Sequence, residues 1–375
     1  MGNKKVIIID IYFLYLAQTG IKTYIESLCD EIDLYQGDDF RFVVLPDREK
    51  VHQSNYFRGK THKLKNWLFQ IRYFFNKMVY LPLSTYWYGA DLVFSPDFLA
   101  PIWGKGKKVT VIHDAFFWES PEHYHPLWLN FFLFLLQKCL DAGARVLTVS
   151  DYAKEKITEH INPARSIDVV YSGVSFLPQN NPVSTQSPLK SLYFLHVGVL
   201  EKRKNLVTLV EAFSLFIKRT DKDFSLVLVG QRGPRHTLDD YDSIITCIKA
   251  NQLEGRVVLP GYLPRRKLID YYRHAFAYVF PSLNEGFGLP ILEAFSYRLP
   301  VIISNQGALK EVGGEAVLVS EDNTVEGLTR AMTKMVEDKT LRVQLAKLGK
   351  ERLALFSRRK FFVSLQAYFN KVLDG

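Results

Sequence analysis

The sequence predicts an α/β protein built from doubly wound parallel sheets, and three observations carry that prediction. Short continuous runs of Val, Ile, Leu and Phe recur along the chain, as in strands buried on both faces. Each run ends in a loop and is followed by apolar residues at helical spacing, the alternation that builds parallel sheets. The chain has 375 residues, more than one ordinary core accommodates, so two such domains are expected.

The elements follow in order. "KKVIIID" opens the first domain; Asp10 interrupts its apolar run, so it reads as a buried strand and not as a leader peptide. "VTVIHD" and "RVLTVSD" are further strands of the first half, and "LYFLHVG", "SLVLVG" and "AFAYVFPS" are strands of the second. Between the halves, Ser175 to Lys190 is rich in Pro, Asn and Ser and has no apolar periodicity, the composition of a linker. We therefore place domains at 1–178 and 191–355 with a linker at 179–190. Residues 356–375 form a closing helix whose apolar face is Phe361, Phe362, Leu365, Phe369 and Val372. Spacing alone leaves open which domain that face covers, although a crossing back to the first domain is one solution.

Composition narrows the function. Apolar residues make up 47% and charged residues 23% of the chain, the balance of a globular protein. A net charge of +9 favours anionic partners: nucleotide phosphates, acidic lipid or nucleic acid. The basic residues form no nucleic-acid motif, which leaves nucleic acid aside. Cys29, Cys139 and Cys247 show neither metal-ligand nor redox spacing, and they fit a reducing cytoplasm. The longest apolar run, "PLWLNFFLFLLQKCL", is too short and too interrupted to span a bilayer.

Ligands of open parallel sheets bind beyond the carboxyl ends of the strands. After "LYFLHVG", the loop "VLEKRKN" brings Arg203 and Lys204 beside the start of a helix. That helix has Asn205 as its expected N-cap, and Leu206, Leu209, Val210, Phe213 and Ile217 form its apolar face. Helix dipole and side chains both favour an anion there, while a solvated basic loop would show the same spacing. After "AFAYVFPS" comes "PSLNEGFGLPILEAF", with Pro290 suited to the first turn of the next helix. Glu293 is expected in that first turn, where the dipole favours a carboxylate with or without a ligand. Glu285 lies in the loop, where a carboxylate repels phosphate but accepts hydrogen bonds from a vicinal diol. Cations for a diphosphate beside acids for hydroxyls suggest a nucleotide-sugar site.

The segments "HVGVLEKRKNLVTLVEAF", "LVLVG", "LPGYLP" and "VFPSLNEGFGLPILEAFSYRLPVI" resemble the family 4 retaining glycosyltransferases of the GT-B fold. In the first half "TGIKTY", "VTVIHDAFFWESPEHY", "VLTVSDYAKEKI" and "DVVYSGV" agree in order, so the resemblance covers nearly the whole chain. It implies two Rossmann-like domains facing across a cleft, a nucleoside-diphosphate sugar donor, a glycan or lipid-linked acceptor, and no metal or other cofactor. Glu293 would hold the ribose hydroxyls and Glu285 the transferred sugar. The amides near Phe287, Gly288 and Leu289 would approach sugar and diphosphate, and Arg203 and Lys204 would neutralise the diphosphate. Gly20 would let the first loop pass close to the donor, and the backbone around Leu263 would meet the base. His113 by itself reads as a structural strand-end residue; the resemblance instead implies that it approaches the donor sugar. Val199 stands where many relatives carry Arg, and Arg298 where a glycine-like residue is usual. A nucleotide-sugar epimerase of the same architecture would need acid/base residues around the sugar. A non-catalytic sugar-binding protein would carry a secretion signal.

From 51 to 90 there is no Asp or Glu, against six Lys or Arg and eleven aromatics. Leu64, Trp67, Leu68, Ile71, Phe74, Phe75 and Met78 follow helical spacing, flanked by Lys63, Lys65, Asn66, Gln70 and Lys77. One reading buries the apolar side and solvates the basic one. The other makes 51–90 an interfacial patch that meets anionic lipid on the inner face of the cell membrane and a lipid-linked acceptor. The second aromatic run, "LWLNFFLFLL", is expected in the core, and it could extend such a patch.

Overall fold

The structure, a computed structural model, describes residues 4–17, 20–54, 63–162, 165–174, 186–233 and 237–375. It divides into two compact units, one made of Met1–Ser175 with Ser357–Gly375 and the other of Phe176–Phe356. Most of the linker stretch, residues 175–185, lies outside the described residues.

The first unit holds six parallel strands: β1 (Lys5–Asp10), β2 (Phe40–Leu45), β3 (Leu92–Ser95), β4 (Lys107–Val111), β5 (Arg145–Thr148) and β6 (Ile167–Val169). Their order is β2-β1-β3-β4-β5-β6. The second unit repeats the plan with β7 (Leu192–Val197), β8 (Phe224–Val229), β9 (Val257–Gly261), β10 (Ala277–Phe280), β11 (Val301–Ile303) and β12 (Val317–Val319). Here the order is β12-β11-β10-β7-β8-β9, again all parallel. Ile7, Ile8 and Ile9 of β1 and Leu226, Val227 and Leu228 of β8 are fully buried, because helices cover both faces of each sheet.

The strand order reverses between β1 and β3 in the first unit and between β7 and β10 in the second. Such a switch point opens a crevice at the carboxyl ends, because the crossovers on either side turn away from each other. The residues following β7 and β10 are therefore the natural ligand contacts of the second unit, and those following β1 and β3 are their counterparts in the first.

The closing helix, Arg358–Asp374, belongs to the first unit. It starts where Ser357 accepts a hydrogen bond from the Lys360 amide. Phe369 meets Phe40 and Phe94 at 6.3 and 5.2 Å, Phe362 meets Tyr35 and Phe42, and Phe361 lies 4.8 Å from Tyr24. Each buried ring contributes about 1.5–3 kcal/mol of burial free energy. Gly173 makes the approach possible: a Cβ there would stand 2.9 Å from Arg358 Cα.

Candidate active site

The second unit's switch point is built on two glycines. Val197 and Val229 are register partners, and a Cβ on Gly230 would stand 1.7 Å from Gly198 O. Only glycine lets the ends of β7 and β8 run so close. The chain then turns through Lys202–Lys204, a single 3-10 turn, into the helix Leu206–Ile217. Asn205 stands at the N-cap position, but in the left-handed region with φ 57°, and its side chain caps no backbone amide. Its Oδ1 instead accepts from Thr208 Oγ1 at 2.7 Å. The expected capping bond is replaced because the tight turn bends the side chain toward Thr208.

This turn carries Arg203 and Lys204 to the loop after β10. Lys204 Nζ stands 2.5 Å and Arg203 Nη1 2.8 Å from one atom, Glu285 Oε1. Ser282 Oγ is 2.6 Å from the same oxygen. Arg203 Nε also donates to Glu201 at 2.9 Å, and Arg203 O accepts from the Leu283 amide at 2.8 Å, which stitches the two loops together. Lys204 is only 6% exposed, and its ammonium lies 4.8 Å above the Phe280 ring. Burial pushes the Glu285 carboxyl up, but Arg203 and then Lys204 outweigh it and hold the group at about 2. Lys204 is drawn below its ordinary value by burial and by Arg203, with Glu285 opposing. The arrangement is a cluster of two cations on one ionised carboxylate.

Glu293 sits on the helix Leu289–Ser296, which begins after Gly288 at φ 112°. Its expected place in the first turn is corrected: no acidic residue lies there, because the helix starts one turn before Glu293. Pro290 does occupy the opening turn. Glu293 Oε2 accepts from Tyr272 OH at 2.9 Å, and burial raises its carboxyl pKa against the pull of Tyr272 and Arg265. Phe287 is buried against Phe356 at 5.8 Å. Leu263 lies half-buried in the loop between β9 and the helix Arg265–His274.

In the first unit Gly20 opens the helix Gly20–Asp33. The same helix presents Tyr24 edge-on to His113 at 5.2 Å, so these two expected elements meet. His113 Nε2 lies 2.9 Å from Pro96 O; a carbonyl cannot donate, so Nε2 carries the proton and Nδ1 is an acceptor. Burial pushes the His113 pKa down to about 4 against that hydrogen bond, which keeps the ring neutral.

The first unit's switch point holds a cluster of another kind. Lys77 is 0% exposed and is ion-paired with Asp97, just past β3, and with Asp10 at the end of β1, the latter at 2.5 Å. Tyr73 OH donates to Asp97 at 2.7 Å. Burial would lower the Lys77 ammonium, but the two carboxylates hold it above its ordinary value. Burial, with Asp10 adding its charge, lifts Asp97 to about 6 against the pull of Lys77.

The family described as Glycosyltransferase Family 4 matches residues 19–176, and that described as Glycosyl transferases group 1 matches 179–352. The chain belongs to the family 4 glycosyltransferases. It is 31% identical over 245 residues to the O-antigen chain mannosyltransferase B of Escherichia coli. That match covers 63% of this chain and 63% of the relative, so it spans less than two thirds of the relative's length. Among solved structures, a sucrose-phosphate synthase from Thermosynechococcus elongatus aligns with TM-score 0.73 at 18% identity, covering 99% and 100% of the two chains. Anabaena HepE in complex with UDP and glucose aligns with TM-score 0.68 at 15% identity, covering 98% and 100%. At these identities the likeness is one of fold, and it agrees with the GT-B expectation.

Three features of this family 4 chain escaped the sequence reading. His196 in "LHVG" is fully buried, its Nδ1 is 3.0 Å from Val279 O, and its Nε2 has no hydrogen-bond partner among the described residues. Burial holds it at about 4, with Lys204 also lowering it. The second is Lys77, expected on a solvated flank and found at the centre of the buried cluster. The third is the orientation of its helix. Trp67, Leu68, Ile71 and Phe75 face outward, Trp67 at 60% exposure, while Phe69, Tyr73 and Lys77 point inward. A π turn at Asn76–Tyr80 joins this helix, Lys63–Phe75, to the next, Leu81–Tyr88, where Trp87 is 86% exposed. The reading in which the apolar stripe is buried is thus corrected in part: Phe74 and Met78 pack against the core, while the two aspartates hold Lys77 inside and Trp67, Leu68, Ile71 and Phe75 are turned out. The side chains of 63–66 lie outside the described residues. Helix Pro126–Asp141 splits the second aromatic run, with Leu129, Phe132, Leu135 and Leu136 buried and Leu127, Phe131 and Phe134 exposed. It adjoins the first helix through Phe74 and Phe131 at 5.1 Å. Among the described residues no helix is long and apolar enough to cross a membrane.

Proposed function

We propose that this chain is a retaining glycosyltransferase. It moves a sugar from a nucleoside-diphosphate sugar to a glycan or lipid-linked acceptor in the assembly of a surface polysaccharide. The observation that carries the reading is the convergence of Arg203, Lys204 and Glu285 at the switch point between β7 and β10. The O-antigen role in the name of the Escherichia coli relative, and the UDP and glucose bound by the Anabaena neighbour, point the same way.

In the proposed chemistry the bond from the anomeric carbon to the β-phosphate oxygen breaks and a bond to the acceptor oxygen forms on the same face. The departing phosphate takes the acceptor's proton, so no enzyme base is needed. Negative charge grows on the diphosphate as the bond breaks, and Arg203 and Lys204 are fixed charges aimed at it from a largely water-excluded loop. Glu285 takes hydroxyls of the transferred sugar, and Glu293, steadied by Tyr272, takes the ribose diol. The amides at Gly288 and Leu289 lie at a helix N-terminus suited to phosphate. The backbone near Leu263 takes the base, and Gly20 leaves room for the donor. His113, neutral with Nδ1 as an acceptor, takes a sugar hydroxyl and is not an acid. In this reading the first unit binds the acceptor, the second binds the donor, and the diphosphate is neutralised without a metal.

The outward stripe of Trp67, Ile71, Phe75 and Trp87, with Phe131 and Phe134 beside it, supports a peripheral site on an anionic inner membrane surface. Lys138 lies 5.5 Å from the Phe134 ring and adds positive charge at its edge. A panel of nucleotide sugars, with nucleoside-diphosphate mannose first, tests the donor assignment by thermal protection. A true donor raises the melting temperature by mass action, and indifference to every nucleoside diphosphate would overturn the reading.

A further inference from the structure

Glu285 Oε1 collects Lys204 Nζ at 2.5 Å, Arg203 Nη1 at 2.8 Å and Ser282 Oγ at 2.6 Å. Three donors, two of them cationic, converge on one carboxylate oxygen. That is how a protein holds a phosphate oxygen, not how it positions an acid to read a neutral hydroxyl. The same two cations are the diphosphate ligands in the function proposed above, on which this inference rests. Glu201 is held by Arg203 at 2.9 Å, so the four side chains Glu201, Arg203, Lys204 and Glu285 carry two positive and two negative charges, with exposed Lys202 outside the set. A diphosphate entering that neutral, largely buried set meets a carboxylate already on its ligands.

We propose that Glu285 is an internal anion that holds the diphosphate's place on Arg203 and Lys204, and that the donor displaces it. Once displaced, its oxygen has lone pairs to offer the transferred sugar's hydroxyls. The sugar is therefore read only after the diphosphate has taken the cations, so a free sugar finds its reader engaged. Ser282 is the return anchor: its hydroxyl lies within reach of both Glu285 Oε1 and Arg203 O, at 2.6 and 3.0 Å. Ser304 Oγ in turn donates to Ser282 O at 2.5 Å, fixing the loop that carries the anchor.

The test is a calorimetric titration of the intact chain with pyrophosphate, UDP and GDP, using wild type, Glu285→Gln and Ser282→Ala. Glutamine keeps the shape and removes the competing charge. Glu285→Gln should bind diphosphate at least about tenfold more tightly, a floor well below the roughly thousandfold that one like charge about 4 Å away corresponds to at an effective dielectric near 20. Its sugar transfer should fall at the same time. Ser282→Ala, which loosens the carboxylate and leaves its charge, should shift affinity the same way by a smaller factor. A residue that merely orients the two cations gives the opposite sign. Weaker or unchanged binding in Glu285→Gln with wild-type binding intact would overturn the displacement and leave the donor site standing. Absence of binding in every form, wild type included, would instead remove the donor site itself and the displacement with it.

Discussion

Replacing Lys77 by Met probes the buried cluster, which owes nothing to any ligand. Lys77 is ion-paired with Asp97 and stands 2.5 Å from Asp10, and all three are essentially unexposed. Met fills a similar volume but leaves two buried carboxylates at the carboxyl ends of β1 and β3 without their cation; among the described residues Asp97 keeps the Tyr73 hydroxyl and Asp10 the Tyr12 amide. Removing one partner of a buried ion pair costs about 3–5 kcal/mol, a large part of the roughly 5–15 kcal/mol that holds a domain folded. The assay is urea unfolding followed by tryptophan fluorescence. Trp67, Trp87, Trp103, Trp118 and Trp128 are the five tryptophans, and all lie in the first unit, so the signal reports that unit. The sign with pH is fixed by Asp97. Its folded pKa is already raised to about 6, so its contribution is present at low pH and is lost as pH rises through that value. In Lys77→Met that lift grows, so the deficit is largest at neutral pH and shrinks toward about pH 5. Adding Asp97→Asn to Lys77→Met should recover part of the loss. A deficit under about 1 kcal/mol at neutral pH, the scale of a surface pair, would refute the buried-cluster reasoning.

Three further outcomes follow from the same geometry. Glu293→Ala should weaken nucleoside-diphosphate binding roughly tenfold or more, the scale of a hydrogen bond to a charged group. Glu285→Ala should slow transfer with no such loss of affinity; equal losses, read by calorimetry, would undo that division of labour. His196 is held at about 4 while an unfolded histidine titrates near 6.5, so its contribution is full above pH 6.5 and falls away toward pH 4. That contribution is worth about 3 kcal/mol, and His196→Gln should flatten the acid limb of stability by most of it; an unchanged pH slope in urea unfolding followed by circular dichroism contradicts the assignment. Sedimentation with anionic phospholipid vesicles at low salt should capture the wild type, and Trp67→Ser with Phe75→Ser should lower that binding roughly tenfold or more. Equal sedimentation of the two forms would sink the interfacial reading.

The parts of the fold that the sequence announces are those coded locally. "VIIID", "YFLHV" and "SLVLV" are long, doubly buried strands that need no distant partner to be recognised. β6, β11 and β12 are only three residues long, below the length at which an apolar run separates from a helix segment. The loops proposed to hold the donor are legible because Arg203, Lys204 and Glu285 each follow a strong strand. Their convergence on one oxygen was not, since residues about 80 apart in sequence meet only through the β7–β10 pairing. The helix at 63–75 shows the limit most plainly. Both of its faces carry rings, so periodicity offers two candidate buried sides. Asp10 and Asp97 decide between them, and neither is near it in sequence. His196 has a similar cause: a histidine within a strand reveals nothing until its packing against Tyr278 and Phe280 is seen.

The central claim is that Arg203 and Lys204 stabilise a departing diphosphate. It is tested most directly by following nucleoside-diphosphate release from the sugar donor that protects the wild type against unfolding. Lys204→Ala should release it about 100-fold more slowly or worse, the effect of losing one preorganised charge, while the variant stays folded by circular dichroism, which reports both units. Turnover within a fewfold of wild type in that folded variant would contradict the account.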